Sequence, residues 1–387
     1  MTARADAMTA GLPITAPPTA AITASRTIDF DRDVYCIAGL PIDAIDMQTA
    51  VEKVRHAARS KTRCVIATPN LNFVISAQTD AEFRESVIGS DLCLADGMPL
   101  VWMARLLKLP IPERVAGSEL FDRLLAHDGP PITVYFFGGP PGAAQAAASA
   151  LERRAGGLRC VGYEEAPYAP VEALSGDDTI DRINRSGADF VIVALGARKG
   201  QAWIERNRAR LTAPVLCHLG AVINFAAGTV ARAPRPLQVL GLEWMWRIKE
   251  EPSLWRRYSS DGLVFVGMLC SKVLPKAWRV RVGAEAKRPA EPPTLEALRE
   301  PGQTQLSLKG AWTRSGLAPL RAALAAAACD GGSLSIALDG VTHGDSAFVA
   351  ILMLALAGGR GSGGISGVSS QMRRVLHDWD ADFLLRS

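Results

Sequence analysis

The sequence predicts an α/β protein whose main domain is a Rossmann-like, doubly wound and mostly parallel sheet. Two observations carry this prediction. Short apolar runs rich in β-branched residues alternate with helical patterns, and each run ends in a polar or glycine-bearing break. The runs span residues 64–67, 92–95, 133–137, 190–195 and 215–219. Because ligands of such sheets bind beyond the carboxyl ends of the strands, we expect a site at these breaks.

Composition narrows the class of protein. The chain has 387 residues, of which 48% are hydrophobic and 21% charged, which is typical of a soluble protein with two domains. A net charge of +4 without a recognisable nucleic-acid module argues against a nucleic-acid partner. The seven cysteines form no C-x-x-C pair, which indicates reduced thiols, and the five histidines have no metal-ligand spacing. We therefore expect a protein of a reducing compartment that needs no metal.

The chain divides into four segments. Residues 1–33 form an Ala/Thr/Pro-rich leader that is predicted to be disordered, and residues 34–282 carry the predicted sheet. Residues 283–302 are proline-rich and charged, as in a linker, and residues 303–387 repeat the strand and helix pattern on a smaller scale. No apolar run is long enough to span a bilayer, and the leader lacks a signal-peptide core, so the sequence predicts a cytoplasmic protein.

The first apolar run ends in Thr68-Pro69-Asn70-Leu71-Asn72. Thr68, Asn70 and Asn72 supply short hydrogen-bonding side chains where a parallel sheet would bind its ligand. We expect these side chains to hold a polar molecule.

The second run ends in Asp96-Gly97. A carboxylate at a strand end, beside a flexible glycine, can accept a proton from a substrate hydroxyl and act as a general base. The alternative is that Asp96 caps a helix that starts near Pro99. The sequence alone leaves both interpretations open.

The third run leads into Gly138-Gly139-Pro140-Pro141-Gly142, which precedes an alanine-rich helix. Backbone amides in a glycine-rich turn at a helix N-terminus suit an anion such as a diphosphate. The alternative is a tight turn that simply needs glycine conformations. Because the G-x-G-x-x-G pattern is missing, a nicotinamide-dependent oxidoreductase is poorly supported.

The remaining breaks are also polar or glycine-bearing. They are Glu113 to Ser118, Gly196 to Gln201 and Gly220 to Phe225. Since every strand end shares this character, we favour one cleft for a polar, phosphorylated ligand.

Six motifs occur in an order that resembles a known family. They are TPNLN at 68–72, ADG at 95–97, ERVAGSE at 113–119, FFGGPPG at 136–142, GAVINFAAGTVARAP at 220–234 and GLEWMWRIKEEPSLWRRY at 241–258. Together they resemble the WecG/TagA/CpsF glycosyltransferases, glycosyltransferase family 26, over about residues 34–282. The resemblance implies an inverting, metal-independent hexosyltransferase, such as an N-acetylmannosaminyltransferase. It implies a UDP-sugar donor, a polyprenyl-diphosphate-linked acceptor, and peripheral attachment to the cytoplasmic membrane in exopolysaccharide or cell-surface polysaccharide synthesis.

The resemblance also implies roles for individual residues. It assigns Asp96 as the catalytic base, and it places Thr68, as a second catalytic residue, and Asn70 in the active site beside it. We add Arg114 and the glycine loop as candidates for the donor diphosphate, because a guanidinium and backbone amides can stabilise the charge of departing UDP. The complete set of predicted substrate-binding residues is Asn70, Asn72, Gly97, Arg114, Gly117, Ser118, Gly138, Gly139, Gly142, Gln201 and Asn224.

Two departures from the family pattern favour a different function. Arg198-Lys199-Gly200-Gln201 stands where the family usually has Pro-Lys-Gln-Glu, and Asn224 stands where it usually has aspartate. Both departures remove a carboxylate. The alternative function is therefore a non-catalytic protein that senses a nucleotide-sugar, or a scaffold.

Two D-x-D matches, Asp31-Arg32-Asp33 and Asp380-Ala381-Asp382, lie outside the predicted sheet core. We expect them to be solvent-exposed charges rather than metal ligands.

Residues from about 241 to 282, called the appendage below, combine aromatic and basic side chains. Four of the eight tryptophans fall between residues 244 and 281, together with eight arginine and lysine residues against three acidic ones. Such helices lie on anionic membrane surfaces, although packing of a basic helix on the sheet edge is the alternative. The family resemblance makes Arg247, Arg256 and Arg257 candidates for binding the acceptor diphosphate.

The last segment contains LSIALDGVTHGDSAFVAILMLAL, which resembles a STAS domain. In anti-sigma-factor antagonists of this kind a serine after an aspartate is phosphorylated, and Asp345-Ser346 matches that position. Ser346 also fits a helix N-cap, which is the alternative. The resemblance implies a protein partner for this segment, called the STAS-like domain below.

Overall fold

A computed structural model describes residues 28–154, 156–226, 228, 233–234, 236–237, 241–250, 252–281, 291–357 and 363–385. Most of the predicted leader and much of the predicted linker lie outside these residues. The first domain begins with a two-stranded antiparallel hairpin, β1 (Val34–Ile37) and β2 (Leu40–Asp43). A six-stranded parallel sheet and flanking helices follow, as predicted.

The strands of the parallel sheet are β3 (Cys64–Ala67), β4 (Leu92–Cys93), β5 (Ile132–Gly138), β6 (Leu158–Glu164), β7 (Phe190–Ala194) and β8 (Val215–His218). Their order across the sheet is β4-β3-β8-β7-β5-β6. The chain first passes from β3 to its neighbour β4, which is an edge strand. It then crosses the sheet in the opposite direction, past β3, β8 and β7, to form β5. The direction of winding therefore reverses beside β3, and this reversal creates the crevice in which open α/β sheets bind ligands.

The helices of the first domain cover both faces of the sheet. They are α1 (Met47–Ser60), α2 (Leu71–Thr79), α3 (Ala81–Ile88), α4 (Met98–Leu106), α5 (Gly117–Leu125), α6 (Ala143–Glu152), α7 (Asp177–Arg185), α8 (Ala197–Asn207) and α9 (Gly220–Ala226). Strands that are covered on both faces have continuous apolar sequences. For this reason β3, β7 and β8 could be located from the sequence.

The appendage is helical. It consists of α10 (Glu243–Glu250), α11 (Trp255–Met268), a π-helical turn at Leu269–Val273 and α12 (Leu274–Arg281). No described helix is long and apolar enough to cross a membrane.

In its described residues, the STAS-like domain has a four-stranded sheet of order β12-β11-β10-β9 and three α-helices. Its elements are β9 (Thr294–Glu300), β10 (Gln303–Trp312), α13 (Ala318–Asp330), β11 (Ser333–Gly344), α14 (Ser346–Leu356), β12 (Ile365–Val368) and α15 (Ser370–Asp378). Strand β9 corrects the domain prediction, because it lies inside the segment 283–302 that was predicted as a linker. Its side chains are mostly exposed and three of the seven are charged, so its apolar pattern was too weak to identify a strand.

The end of the predicted leader is also part of the fold. Phe30 is buried, and the buried guanidinium of Arg32 pairs with the Asp43 carboxylate at 2.7 Å. The expectation of solvent-exposed D-x-D charges was therefore wrong in part. Asp31 is exposed, whereas Asp33 and Asp380 pair with cations across the boundary between the two domains.

Candidate active site

Asp96 lies just beyond β4, at the carboxyl edge of the sheet. Its backbone N–H donates to the Pro69 carbonyl oxygen at 2.9 Å, so the loops that follow β4 and β3 run side by side. Helix α4 begins at Met98 with Gly97 at the N-cap position, and no side chain caps it. The alternative in which Asp96 caps this helix was therefore wrong, and its carboxylate is available for another role.

Two glycines allow a close approach between neighbouring segments at this edge. The position of a Cβ on Gly97 lies 3.1 Å from the Asn70 Cβ, and that of a Cβ on Gly117 lies 3.3 Å from the Thr68 Cγ2. The backbone N–H of Gly117 also donates a hydrogen bond to the Asp96 carboxylate. The structure thus brings together Thr68, Asn70, Asp96, Gly97 and Gly117, which were predicted from three separate motifs.

Both asparagines of the first motif have structural partners. Asn70 is the N-cap of α2, and its side-chain oxygen accepts from the Phe73 N–H at 3.2 Å. The Asn72 side chain donates to the carboxylate of Asp261 on α11. Asn72 therefore joins the sheet edge to the appendage, a contact that its predicted role in substrate binding did not anticipate.

Charged side chains from the appendage complete the surroundings of Asp96. Arg114 Nη1 lies 2.9 Å from the Glu243 carboxylate of α10, and both side chains are largely buried. Arg247, one turn further along α10, lies close enough to lower the pKa of Asp96 and stacks 5.6 Å from the Phe225 ring centroid. Helix α10 therefore covers the carboxyl edge of the sheet next to Asp96.

The Asp96 carboxyl group has an unusual proton affinity. Desolvation by the surrounding protein raises its pKa to about 6, although Arg114, Arg247 and the Gly117 N–H act to lower it, while Glu243 adds to the rise. A carboxylate with a pKa near 6 is ionised at neutral pH and still binds a proton well. This property is typical of a general base.

The glycine loop follows β5 at the same edge. Gly138, Gly139 and Gly142 have φ angles of +92°, +97° and +79°, so the turn does require glycine conformations. The Gly139 N–H donates to the Ala194 carbonyl oxygen at 2.9 Å. The Gly142 N–H donates to the Glu165 carboxylate at 2.6 Å. Because a carboxylate already occupies the Gly142 amide, a diphosphate could bind there only by displacing Glu165.

Gln201 on α8 is 2% exposed, and its side-chain oxygen has no hydrogen-bond partner among the residues that the structure describes. A buried acceptor without a partner is costly unless a ligand or water supplies a donor. The neighbouring Gly200 leaves room for the imidazole of His218 at the end of β8, which a larger side chain would overlap. Burial lowers the pKa of His218 to about 4, so its ring is neutral.

The other predicted binding residues lie on two helices of the opposite face. Ser118 is half-buried in the first turn of α5, and Asn224 is half-buried on α9, which packs between α5 and α6. Their role in binding remains a prediction.

The three predicted acceptor arginines are separated. Arg247 lies beside Asp96, whereas Arg256 and Arg257 are exposed on α11. Most of the large apolar side chains that the described residues expose belong to the appendage. They are Trp244, Met245, Trp255, Leu263, Val264, Val266, Leu274 and Trp278.

Ser346 lies at the boundary between the two domains. It is 1% exposed, and its hydroxyl donates to the Cys36 carbonyl oxygen at 2.9 Å. The N-cap of α14 is Asp345, whose carboxylate accepts from the Phe348 N–H at 2.9 Å, so the capping alternative for Ser346 was wrong. Phosphorylation of Ser346 remains a prediction, and in this arrangement a kinase would reach it only after the domains separate.

Two site residues escaped the sequence reasoning. Glu243 sits in the GLEWMWR motif but reaches Arg114 from more than a hundred positions away, and Asp261 reaches Asn72 in the same manner. An acidic side chain in the first turn of a helix that carries two tryptophans and two basic residues was the available signal for Glu243. Among the described residues, no group of three or more His, Cys, Asp or Glu side chains is arranged to hold a metal ion.

These features define an α/β protein with a polar ligand site at the carboxyl edge of a parallel sheet, covered by a helical appendage. Residues 35–279 match the family model of the glycosyl transferase WecG/TagA/CpsF family, and residues 296–386 match that of the Mlab, STAS domain. Since the first match covers more than half of the chain, the protein belongs to the WecG/TagA/CpsF glycosyltransferase family. The resemblance and the fold class inferred from the sequence are confirmed. The family suggests a role in polysaccharide synthesis, with nucleotide-sugar and lipid-linked substrates in general.

Proposed function

We propose that this protein is an inverting, metal-independent glycosyltransferase. It moves a sugar from a UDP-sugar to a saccharide on polyprenyl diphosphate, at the cytoplasmic face of the membrane, in the synthesis of exopolysaccharide or another surface polysaccharide. The sugar is a hexose such as N-acetylmannosamine. The observation that carries the proposal is the Asp96 carboxylate at the carboxyl edge of the sheet. Its pKa is about 6, and it lies close enough to Arg114 and Arg247 for both to lower that pKa.

In the proposed reaction, the Asp96 carboxylate accepts the proton of an acceptor hydroxyl while the hydroxyl oxygen attacks the anomeric carbon of the donor. The bond between that carbon and the diphosphate oxygen breaks on the opposite face, and its electron pair leaves with UDP. The configuration at the anomeric carbon is therefore inverted. The Gly117 N–H fixes the carboxylate, and Thr68 and Asn70 line the position of the sugar.

Two arginines supply positive charge for two diphosphates. Arg114 faces the leaving UDP, because its guanidinium lies beside Asp96 and can bind phosphate oxygens in a bidentate manner. Arg247 approaches from the appendage and contacts the acceptor diphosphate. Glu243 holds Arg114 in the ligand-free arrangement, and an incoming donor diphosphate competes with it for the guanidinium.

The test is acceptor-dependent release of UDP from a panel of UDP-sugars. Membranes that carry polyprenyl-diphosphate saccharides serve as the acceptor source, and extracted membranes without these lipids serve as the control. Release with one donor, only when the acceptor lipid is present, would support the transferase and name its sugar. The absence of turnover with every donor would contradict it.

The second candidate is a nucleotide-sugar sensor that signals through its STAS-like domain and a protein partner. Gln201 and Asn224, which stand where the family usually has carboxylates, favour it. A sensor would bind one UDP-sugar in calorimetry yet release no UDP under any acceptor condition. Tight binding together with turnover would exclude it.

Membrane attachment through the exposed face of the appendage gives a separate prediction. Val266 is 57% exposed on α11, next to the more exposed Leu263. Replacing either residue with glutamate should lower binding to phosphatidylglycerol-containing vesicles by about tenfold, because a buried aliphatic side chain contributes about 1.5 kcal/mol or more. Vesicle flotation measures the effect.

The matched control is Leu298→Glu in the STAS-like domain, since Leu298 is also 57% exposed and the charge change is the same. This variant should bind vesicles like the wild type. Equal loss in both variants would mean that net charge alone governs binding. Full binding by Val266→Glu and Leu263→Glu would remove the appendage face from the proposal.

A further inference from the structure

The STAS-like domain is bound to the N-terminal hairpin of the first domain. Helix α14 packs on β1 and β2 within one continuous apolar core, and Arg314 pairs with Asp33 at 2.8 Å. Arg321 donates to two backbone carbonyl oxygens of residues 30–32, at 2.6 and 2.9 Å. A shared core with charged groups around it is typical of a permanent interface rather than of two domains on a loose tether.

A second contact involves residues 378–380 of the STAS-like domain, called the acidic turn below. The Trp379 carbonyl oxygen accepts from the Gly39 N–H of the hairpin at 3.0 Å. Asp380 has a φ angle of +58°, a left-handed conformation that aspartate tolerates. The turn is thus fixed to the hairpin through its backbone, which leaves the Asp378 and Asp380 carboxylates to face the appendage.

Three cations of the appendage meet the acidic turn. Lys272 pairs with Asp380, and Arg279 Nη2 lies 3.1 Å from the Asp378 carboxylate. Lys276 lies between them with 5% exposure, and its ammonium group sits over the Trp379 ring and 3.3 Å from the Asp378 carbonyl oxygen. The sequence predicted that the basic residues of the appendage lie on a membrane surface. Three of them, Lys272, Lys276 and Arg279, instead contact the STAS-like domain.

The rest of the appendage is held from the first domain. Asp261 accepts from Asn72 beside the active site, and Glu243 pairs with Arg114. Further along the appendage, Gln78 donates to Met268 Sδ at 3.6 Å and the Trp102 ring packs on Phe265. The appendage is therefore held by the first domain at and beside the site, and by the acidic turn of the STAS-like domain near its C-terminal end. Leu263 and Val266 of α11 are exposed.

We infer that the acidic turn of the STAS-like domain positions the appendage over Asp96, so that the STAS-like domain acts as an internal brace of the transferase. This inference rests on the proposed function and deepens it. The acceptor lipid must reach Asp96 from the membrane along the appendage, and an orientation error of about 1 Å can cost a hundredfold in rate. The brace fixes the orientation of α11 and α12, and Asp378 and Asp380 are its positioning residues.

A charge exchange in the full-length chain tests the brace. Arg279→Asp and Asp378→Arg each replace an attraction by a repulsion, and the double variant restores a pair of opposite charges. In each single variant we expect amide hydrogen exchange in residues 269–281 to rise about threefold to tenfold. The KM for the acceptor should rise by a similar factor while the dissociation constant of the UDP-sugar stays unchanged. The double variant should restore both values.

Arg281→Asp is the matched control, because Arg281 is exposed on the same helix and the substitution makes the same charge change. It should change neither amide hydrogen exchange in residues 269–281 nor the acceptor KM, apart from the effect of the altered net charge, which added salt screens. Wild-type amide exchange rates in both single variants would overturn the brace, and so would a double variant that restores amide exchange but not the acceptor KM.

If the wild type releases no UDP, the proposed function fails. Amide hydrogen exchange alone then decides whether the acidic turn holds the appendage.

Discussion

Replacing Asp96 with asparagine should lower kcat for acceptor-dependent UDP release by about 10²-fold to 10⁴-fold, which is the usual contribution of a general base. Asparagine keeps the size of the side chain and can still accept from the Gly117 N–H, but it cannot take up the acceptor proton. Binding of the UDP-sugar should change little, since the proposed mechanism assigns the diphosphate to Arg114. Single-turnover UDP release and calorimetric donor binding separate the two effects.

The stability of the variant provides an internal check. Because burial raises the pKa of Asp96, the folded protein binds this proton more tightly than the unfolded chain, and folding stability falls as pH rises through the interval from about 4 to about 6. A neutral asparagine removes this penalty. Asp96→Asn should therefore melt at or above the wild-type temperature at pH 7.

The matched control for this substitution is Asp128→Asn, which changes an exposed aspartate after α5. It should leave kcat and the melting temperature unchanged. An Asp96→Asn variant that retained more than about a tenth of the wild-type kcat would contradict the assignment of the base, since even weak general-base catalysis is worth about a hundredfold.

The strand ends of this protein could be located from sequence because parallel strands in the middle of a sheet leave a simple signal. Val65 and Ile66 are buried on both faces of β3, and the pattern stops being apolar at Thr68. The same logic found Asp96 after β4. Convergence of the two positions then follows from the topology, because β3 and β4 are neighbours in the sheet.

The contacts that complete the site could not be found in this way. Glu243 and Asp261 meet the sheet edge only because the appendage folds back over it, and no local periodicity encodes that return. The boundary between the domains was also hidden. Arg32 and Asp380 belong to short charged motifs that usually remain in solvent, yet Arg32 is buried in a pair with Asp43, and Asp380 pairs with Lys272 of the appendage.

The pH dependence of the reaction should identify Asp96 without any substitution. Since the base must be ionised to accept a proton, kcat/KM should be constant near neutral pH and fall tenfold per pH unit below about 6, the pKa of Asp96. An unperturbed aspartate would place the same fall near pH 4. Between pH 7 and pH 4 the predicted loss is therefore about a hundredfold.

Two neighbouring charges should move this acid limb in opposite directions. Arg114 lowers the pKa of Asp96 and Glu243 raises it, so Arg114→Gln should shift the limb to higher pH and Glu243→Gln to lower pH, each by about one unit or less. Arg114→Gln should also lower the maximal kcat/KM near neutral pH, because it weakens diphosphate binding in the proposed mechanism. This maximal value does not affect the pH at which kcat/KM begins to fall. Glu119→Gln on α5, whose partner is Arg123, is the matched control and should leave the pH profile of kcat/KM unchanged.

Shifts in the same direction for both variants would show that a group other than Asp96 determines the fall of kcat/KM at low pH. Opposite shifts are expected only if the titrating carboxylate lies close to both charges, as Asp96 does.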